Sequence, residues 1–151
     1  MTSAPRTITR EQLLGTWKLL SYSRELRPSG ETSDMMGKTP AGYLNYCADG
    51  RMLVLMVRDG RSKPAAVKAA ADEAEQLFRG MVAYGGTWRL EDGRLFHHVD
   101  ISWNETWTDT QQERSVQYDG RCMTLVAGPN PDPVDGLLSI RRLKWEKAGA
   151  V

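Results

Sequence analysis

The two histidines of the chain, His97 and His98, are adjacent, and an imidazole can donate, accept or move a proton near neutral pH. They follow an Asp92-Gly93 pair, and Asp-Gly is a preferred pair for the two-residue type I′ turn of a β-hairpin. A turn at these two residues places Trp88 directly opposite His97. That register predicts His97 on the apolar inner face, together with Trp88, and His98 on the outer face.

His97 is open to two interpretations. It could hydrogen-bond a ligand or transfer a proton inside a pocket, because its predicted neighbours are aromatic. It could equally be a core histidine whose ring is satisfied by a backbone carbonyl or a neighbouring tyrosine.

Arg114 is the second residue that could carry chemistry. A turn at Asp119-Gly120 places it on a mostly apolar face with Val116. A buried arginine needs a partner, because an unpaired buried charge is very costly. A ligand carboxylate, enolate or phenolate could supply that partner, and so could an internal salt bridge to Glu105 or Asp100.

Aromatic residues near these two positions could complete a small-molecule site, since ligand pockets are mainly apolar with a few converging polar groups. Each tyrosine could present its hydroxyl to a cavity or simply pack. The candidate ligand-binding residues are Tyr43, Tyr46, Tyr84, Trp88, His97, Trp103, Asn104, Trp107 and Arg114. In an enzyme, the catalytic candidates are His97, which would move a proton, and Arg114, which would stabilise a developing oxyanion.

Familiar nucleotide, nucleophile and metal motifs do not occur in the sequence. It has no Gly-x-Ser-x-Gly, no P-loop and no dinucleotide fingerprint. Two adjacent histidines on opposite faces do not supply the ligands of a catalytic zinc. The net charge is +1, from 20 basic and 19 acidic residues, without a basic patch. We therefore expect no cofactor, no metal and no nucleic-acid partner.

Asp-Gly pairs recur along the chain, and those at 49, 92 and 119 are flanked on both sides by strand-like runs. They predict an antiparallel meander, whose edges must be hidden by closure or by a second sheet. Residues 64–81 carry apolar side chains at helical spacing and predict one helix, packed on the sheet or capping an open end of a barrel. Near the start, Thr9 and Gln12 have capping-box form and predict a short helical turn.

The first predicted hairpin joins residues 41–47 to residues 51–58. A two-residue turn between them places Tyr46 on one face with Leu53, and Tyr43 on the other face. Both faces are then apolar. This predicts that the helix covers the outer face of the hairpin.

Length and composition are typical of one globular domain, and we treat residues 1–151 as a single domain. The longest apolar run, residues 52–57, is far too short to span a membrane, and the first ten residues have no signal-peptide pattern. We expect a cytoplasmic protein without a membrane partner. The protein could also form a homodimer.

Five spaced segments cover most of the chain. They are LLGTWKLLSY (13–22), GKTPAGYLNYCADGRM (37–52), YGGTWRLEDGRLFHHVDISWNETW (84–107), a later strand with Arg114, and LKWEK (143–147). Together, over roughly residues 12–147, they resemble the lipocalin-like domain family of bacteria and fungi. The resemblance implies a mainly β fold, an antiparallel calycin-type barrel of about eight to ten strands with one helix and a central cavity.

Gly15-x-Trp17 also resembles the Gly-x-Trp signature of true lipocalins. In those proteins the tryptophan plugs the closed end of the barrel beneath an arginine from the last strand, a role that Arg141 or Arg142 could take here. The family commonly has Asn-Pro-x-Trp where this chain has Asn104-Glu105-Thr106-Trp107, a segment expected at the mouth of the barrel.

The expected function is binding of a small hydrophobic or aromatic, polyketide-like molecule in the barrel. The alternative is a cofactor-free enzyme, an isomerase, cyclase, dehydratase or hydrolase, acting on a substrate of that kind in the same cavity. A protein-interaction module is the weaker third hypothesis, because the sequence offers no exposed apolar patch for it. The fold cannot decide among them, because function depends on the residues of the site.

Overall fold

Nine antiparallel β-strands form one sheet in the computed structural model, which describes residues 6–132 and 135–151. The strands are β1 (Gly15–Leu26), β2 (Thr32–Asp34), β3 (Ala41–Tyr46), β4 (Arg51–Val57), β5 (Met81–Glu91), β6 (Arg94–Ser102), β7 (Gln111–Tyr118), β8 (Cys122–Pro131) and β9 (Leu138–Lys147). The helices are α1 (Arg10–Leu13), α2 (Ala71–Arg79) and one 3-10 turn (Glu105–Trp107). The predicted mainly β fold is confirmed.

The long first strand closes the sheet into a barrel. One part of β1 pairs with β3 through residues 15–18, and β1 also pairs with β9 along residues 17–26. Eight strands therefore form a closed barrel, and β2 adds to the far part of β1 as an extra strand. Closure removes the free sheet edges that would otherwise pair with other chains.

The second hairpin has the predicted turn. Asp92 and Gly93 have φ values of 50° and 74°, the positive values that a type I′ turn needs at both central residues. Glu91 pairs with Arg94, and Trp88 pairs with His97. As predicted, His97 points inward and is 2% exposed.

A β-bulge ends the agreement further along this hairpin. Gly86 pairs with Val99 as predicted, but Gly85 pairs with Ile101, so β6 carries one extra residue, Asp100. The bulge reverses the alternation beyond it. Ile101 is therefore turned outward and is 69% exposed, and Trp103 is turned outward as well.

The first hairpin differs from its prediction. Tyr46 pairs with Met52, and the N–H of Cys47 donates to Arg51, so the loop holds three residues rather than two. One extra residue reverses the faces of one strand relative to the other. Tyr46 is therefore buried with Met52, whereas Tyr43 lies outside and is 58% exposed. Tyr43, a candidate ligand-binding residue, therefore does not face the interior of the barrel.

The third hairpin is longer by two residues but keeps its faces. Tyr118 pairs with Met123, and the Asp119 carboxylate accepts hydrogen bonds from the backbone N–H groups of Arg121 and Cys122. An even shift leaves the alternation unchanged. Arg114 therefore stays on the inner face, as predicted.

The predicted helix is shorter than residues 64–81. It begins at Ala71 because the Glu73 carboxylate accepts the backbone N–H groups of Ala70 and Ala65 and so caps its start. None of its residues is buried, and it does not cover the outer face of the first hairpin, where Leu53 remains exposed. No helix among the described residues has the length and hydropathy needed to cross a bilayer.

Trp17 lies at one end of the barrel and is 1% exposed. Its indole N–H donates to the Leu13 carbonyl of α1 at 2.9 Å, and the ammonium of Lys147 lies 4.7 Å from the centre of its ring. The capping box at Thr9 forms as predicted. The cation over Trp17 is Lys147 and not Arg141 or Arg142, because Lys147 is the β9 residue that pairs with Trp17. We call this the closed end, and the opposite end the mouth.

Candidate functional site

A cavity lies inside the barrel between His97 and the mouth. Its apolar wall consists of Leu44, Val54, Met56, Val82, Leu125 and Leu143, and its polar or aromatic wall consists of Tyr22, Tyr84, His97, Trp107, Arg114 and Trp145. Its volume is about 40 Å³, enough for about three water molecules. The cavity can therefore hold the head group of a ligand in this conformation, and not a large molecule as a whole.

Two tyrosines hold the imidazole of His97. The Tyr46 hydroxyl lies 2.7 Å from Nε2, and the Tyr84 hydroxyl lies 2.7 Å from Nδ1. Both phenols are buried. The ring of His97 is thus hydrogen-bonded by neighbouring tyrosines, as one of its two interpretations predicts, and it also forms part of the cavity wall.

The protonation states at this triad follow from its burial. Burial, reinforced by the positive charge of Arg114, lowers the pKa of His97 to about 3. Burial raises the pKa of Tyr84 to about 12 and raises that of Tyr46 well above its usual value. All three side chains are therefore neutral at physiological pH.

The number of hydrogens on the imidazole constrains the directions of these two hydrogen bonds. A neutral imidazole carries one N–H, so one tyrosine donates to the bare nitrogen and the other accepts from the N–H. The accepting tyrosine keeps its own O–H for a further acceptor. Tyr84 lines the cavity and Tyr46 does not. We infer that Tyr46 donates to Nε2, that Nδ1 donates to Tyr84, and that the Tyr84 O–H is directed at the cavity.

Arg114 lies on the cavity wall without a carboxylate partner among the described residues. Its guanidinium donates to the Glu113 carbonyl at 2.8 Å and to Oε1 of Gln112 at 3.5 Å. The salt bridges considered for it do not form. The carboxylate of Asp100 lies 3.5 Å from His98, and that of Glu105 accepts from Thr108.

A hydrogen-bond chain connects Arg114 to the mouth. Gln112, which contacts the guanidinium, donates to the Thr110 hydroxyl at 3.0 Å, and that hydroxyl donates to the Trp107 carbonyl at 2.6 Å. The Trp107 ring lies 5.8 Å from that of Tyr84. The segment that carries Trp107 is thus tied to both polar groups of the cavity.

Trp145 and Tyr22 belong to the cavity wall but were not predicted as site residues. The indole N–H of Trp145 is buried and has no hydrogen-bond partner among the described residues. Burial raises the pKa of Tyr22. Strand alternation in β9 could have indicated Trp145, because it shares the inner face with Leu143 and, beyond that, with Arg141.

Five predicted site residues do not reach the cavity, and one of them, Tyr43, lies on the outer face as described above. Tyr46 and Trp88 pack against each other beneath His97, with ring centres 4.9 Å apart, because their strand positions lie nearer the closed end. Trp103 lies outside the barrel, where it donates to the Phe78 carbonyl of α2, because of the bulge in β6. Asn104 caps the 3-10 turn through its contact with Thr106. Trp107, Tyr84, His97 and Arg114 do line the cavity.

No group of three or more histidine, cysteine, aspartate or glutamate side chains is placed to hold a metal ion in residues 6–132 and 135–151. The donors that converge on the cavity suit an oxygen acceptor rather than a cation.

Similar solved structures include a lipocalin-like protein from Bacteroides uniformis ATCC 8492, with 12% identity over 90% of this chain and 98% of that chain and a TM-score of 0.47. Another is an uncharacterized protein from Bacteroides eggerthii DSM 20697, with 15% identity over 90% of this chain and 99% of that chain and a TM-score of 0.44. No curated protein matches the sequence. The sequence pattern of the lipocalin-like domain family matches residues 14–148, so the chain belongs to this family.

Proposed function

We propose that this lipocalin-like barrel binds a small hydrophobic or aromatic molecule in its internal cavity. The observation that carries the proposal is the cavity wall itself, where six aliphatic or thioether side chains face a few polar groups that include Tyr84 and Arg114. Mostly apolar walls with a small number of placed polar groups are the usual form of a small-molecule site. The apolar wall would hold the body of the ligand, and the polar wall would orient it.

The ligand is compact, or it extends into the mouth. Cavities that enclose a drug-sized ligand measure about 300–1,000 Å³, far more than the about 40 Å³ found here. Trp107 is the cavity residue held on a short turn rather than on a strand. A shift of this turn would enlarge the cavity without disturbing the barrel.

The environment of His97 favours a binding function over a catalytic one. Both ring nitrogens of His97 are engaged by tyrosine hydroxyls, and its low pKa keeps the ring neutral. A general base works best when its pKa lies near the operating pH. His97 supports an orienting role for the triad more directly than it supports proton transfer to a substrate.

The proposal is tested by titrating the full chain with two neutral aromatic probes, indole and N-phenyl-1-naphthylamine, followed by ligand-detected NMR and by fluorescence. Val82→Trp places a large ring in the cavity wall and should abolish binding. Val116→Trp is the matched control, because Val116 packs against the core without lining the cavity. Its binding should equal that of the natural chain.

The proposal would be overturned if neither probe bound and small carboxylates such as benzoate did not bind either, and also if Val82→Trp left binding unchanged. Mass spectrometry of the same mixtures addresses the enzyme alternative. A product formed by the natural chain and lost in His97→Gln would favour catalysis over simple binding.

A further inference from the structure

The polar groups of the cavity wall are arranged as donors without matching acceptors. Arg114 carries a permanent positive charge and five N–H groups, and the hydrogen bonds it makes to Glu113 and Gln112 leave part of this capacity unused. No aspartate or glutamate is among the described residues that line the cavity. The wall is therefore electropositive.

Trp145 adds an independent observation. Its side chain is 1% exposed, and its indole N–H has no acceptor among the described residues. Indole nitrogen can only donate, and buried donors in native structures are almost always paired. An acceptor brought by a ligand would satisfy this group.

Tyr84 provides the third donor. The Tyr84 hydroxyl lies 2.7 Å from Nδ1 of His97, and in the inferred tautomer, in which Nδ1 donates, this hydroxyl keeps its hydrogen for the cavity. The ring of His97 does not add a second cation there, because burial and the positive charge of Arg114 lower its pKa to about 3. Arg114, Trp145 and Tyr84 thus supply one charged donor and two neutral ones.

Resting on the proposed function, we propose that the ligand is a compact organic anion, a carboxylate or an ionised enol or phenol, whose oxygen is bound by Arg114, Tyr84 and Trp145. All three side chains line the cavity, and its volume of about 40 Å³ leaves room for one group of carboxylate size. Hydrogen bonds between charged partners are about twice as strong as neutral ones. The apolar remainder of the ligand lies toward Trp107 and the mouth.

The test compares carboxylates with their neutral amides, using benzoate against benzamide and butyrate against butyramide. Each probe is titrated into the ¹⁵N-labelled full chain, and the indole N–H signal of Trp145 is identified by its loss in Trp145→Phe. Each carboxylate should bind at least about tenfold more tightly than its amide. Carboxylate binding should also move the Trp145 indole proton downfield.

Two variants test whether Arg114 supplies the positive charge that binds the carboxylate. Arg114→Gln should weaken benzoate binding by about 10- to 100-fold, and benzamide binding by no more than about twofold. Arg121→Gln is the matched control, because Arg121 lies on an exposed turn with 84% of its side chain accessible. It should leave the affinity for benzoate unchanged. If Arg114→Gln does not fold, the carboxylate-to-amide ratio of the natural chain decides the proposal.

Three outcomes would overturn it. They are equal binding of carboxylates and amides, an unmoved Trp145 signal at saturation, and an equal loss of affinity in Arg114→Gln and Arg121→Gln. If amides and indole bind in the cavity while carboxylates do not, the proposed function is supported and the proposal of an anionic ligand is wrong. If none of these probes binds, the proposed function fails together with the anion.

Discussion

The hydroxyl of Tyr84 lies 2.7 Å from Nδ1 of His97, and this contact connects the core of the barrel to its cavity. Beneath it, Tyr46 contacts the other ring nitrogen at the same distance. The two phenols fix the orientation of the ring and exclude water from it. A residue that looks catalytic by type is thus held as the centre of a neutral hydrogen-bond chain, and Tyr84 and His97 are the members of that chain that line the cavity.

Stability should fall as the pH is lowered from about 6.5 toward 3. The pKa of His97 lies near 3 in the folded chain and near 6.5 in the unfolded chain, so between these values the unfolded state binds more protons. His97 therefore stabilises the fold fully above pH 6.5. Below it, the free energy of unfolding should decrease by up to about 1.4 kcal/mol per pH unit from this residue alone. Urea denaturation at pH 7.0, 5.5 and 4.5 measures the slope.

His97→Gln serves as the control for that slope, because glutamine does not titrate. Its free energy of unfolding should be lower at pH 7 by about 1–3 kcal/mol, since a buried tyrosine loses its partner. Between pH 7.0 and 4.5 its curve should be flatter than that of the natural chain. If the stability curves of the variant and the natural chain were parallel between pH 7.0 and 4.5, the pKa of His97 would not be lowered in the folded state.

Trp17→Ala should lower the free energy of unfolding by about 3–5 kcal/mol, as expected for deletion of a buried tryptophan. The ring is 1% exposed, and it holds both Leu13 and Lys147 at the closed end. Trp103→Ala is the comparison, since Trp103 lies outside the barrel, and it should cost no more than about 2 kcal/mol. Chemical denaturation measures the free energy of unfolding of both variants. A similar loss in the two would contradict the role of Trp17 in closing this end of the barrel.

The meander, its closure and the inward direction of His97 could be predicted, because Asp-Gly turns and strand alternation are local signals. The length of each turn decided how far that reasoning held. The turn at Asp92-Gly93 has two residues, and its register is correct near the turn. The first hairpin has one more residue in its loop, which places Met52 rather than Leu53 on the face of Tyr46. Nothing in the Asp49-Gly50 pair distinguishes these two cases.

The candidate site was predictable only in part, for a related reason. His97, Arg114, Tyr84 and Trp107 were predicted and do line the cavity. The unpartnered indole N–H of Trp145 depends on the packing of several strands, so no local pattern could reveal it. The position of Trp103 depends on a bulge, which inserts a residue without a sequence signal as strong as that of a turn.

Gly86→Ala should be strongly destabilising. A Cβ at Gly86 would lie 1.8 Å from the His98 carbonyl oxygen and 3.0 Å from the Asp100 backbone nitrogen, both at the bulge. Backbone atoms cannot move aside as the end of a side chain can, so the loss should exceed about 2 kcal/mol. Gly149→Ala is the control, with open space around its Cβ and an expected change within about 0.5 kcal/mol. Equal melting temperatures of the two variants would rule out the bulge at this position.

Arg114→Met should preserve or raise the stability of the ligand-free protein. The guanidinium sits on a wall that includes Leu125 and Leu143, without a carboxylate among the described residues, and methionine would pack there without a charge. Replacing poorly compensated charges by apolar side chains often stabilises a fold, and a gain of about 0.5–2 kcal/mol is expected. Arg51→Met, at an arginine whose side chain is 75% exposed, should change stability by less than about 0.5 kcal/mol. Thermal and urea unfolding measure both variants. A loss above about 2 kcal/mol in Arg114→Met would show that Arg114 stabilises the barrel. A gain would mean that the arginine lowers the stability of the ligand-free fold, as residues kept for binding often do.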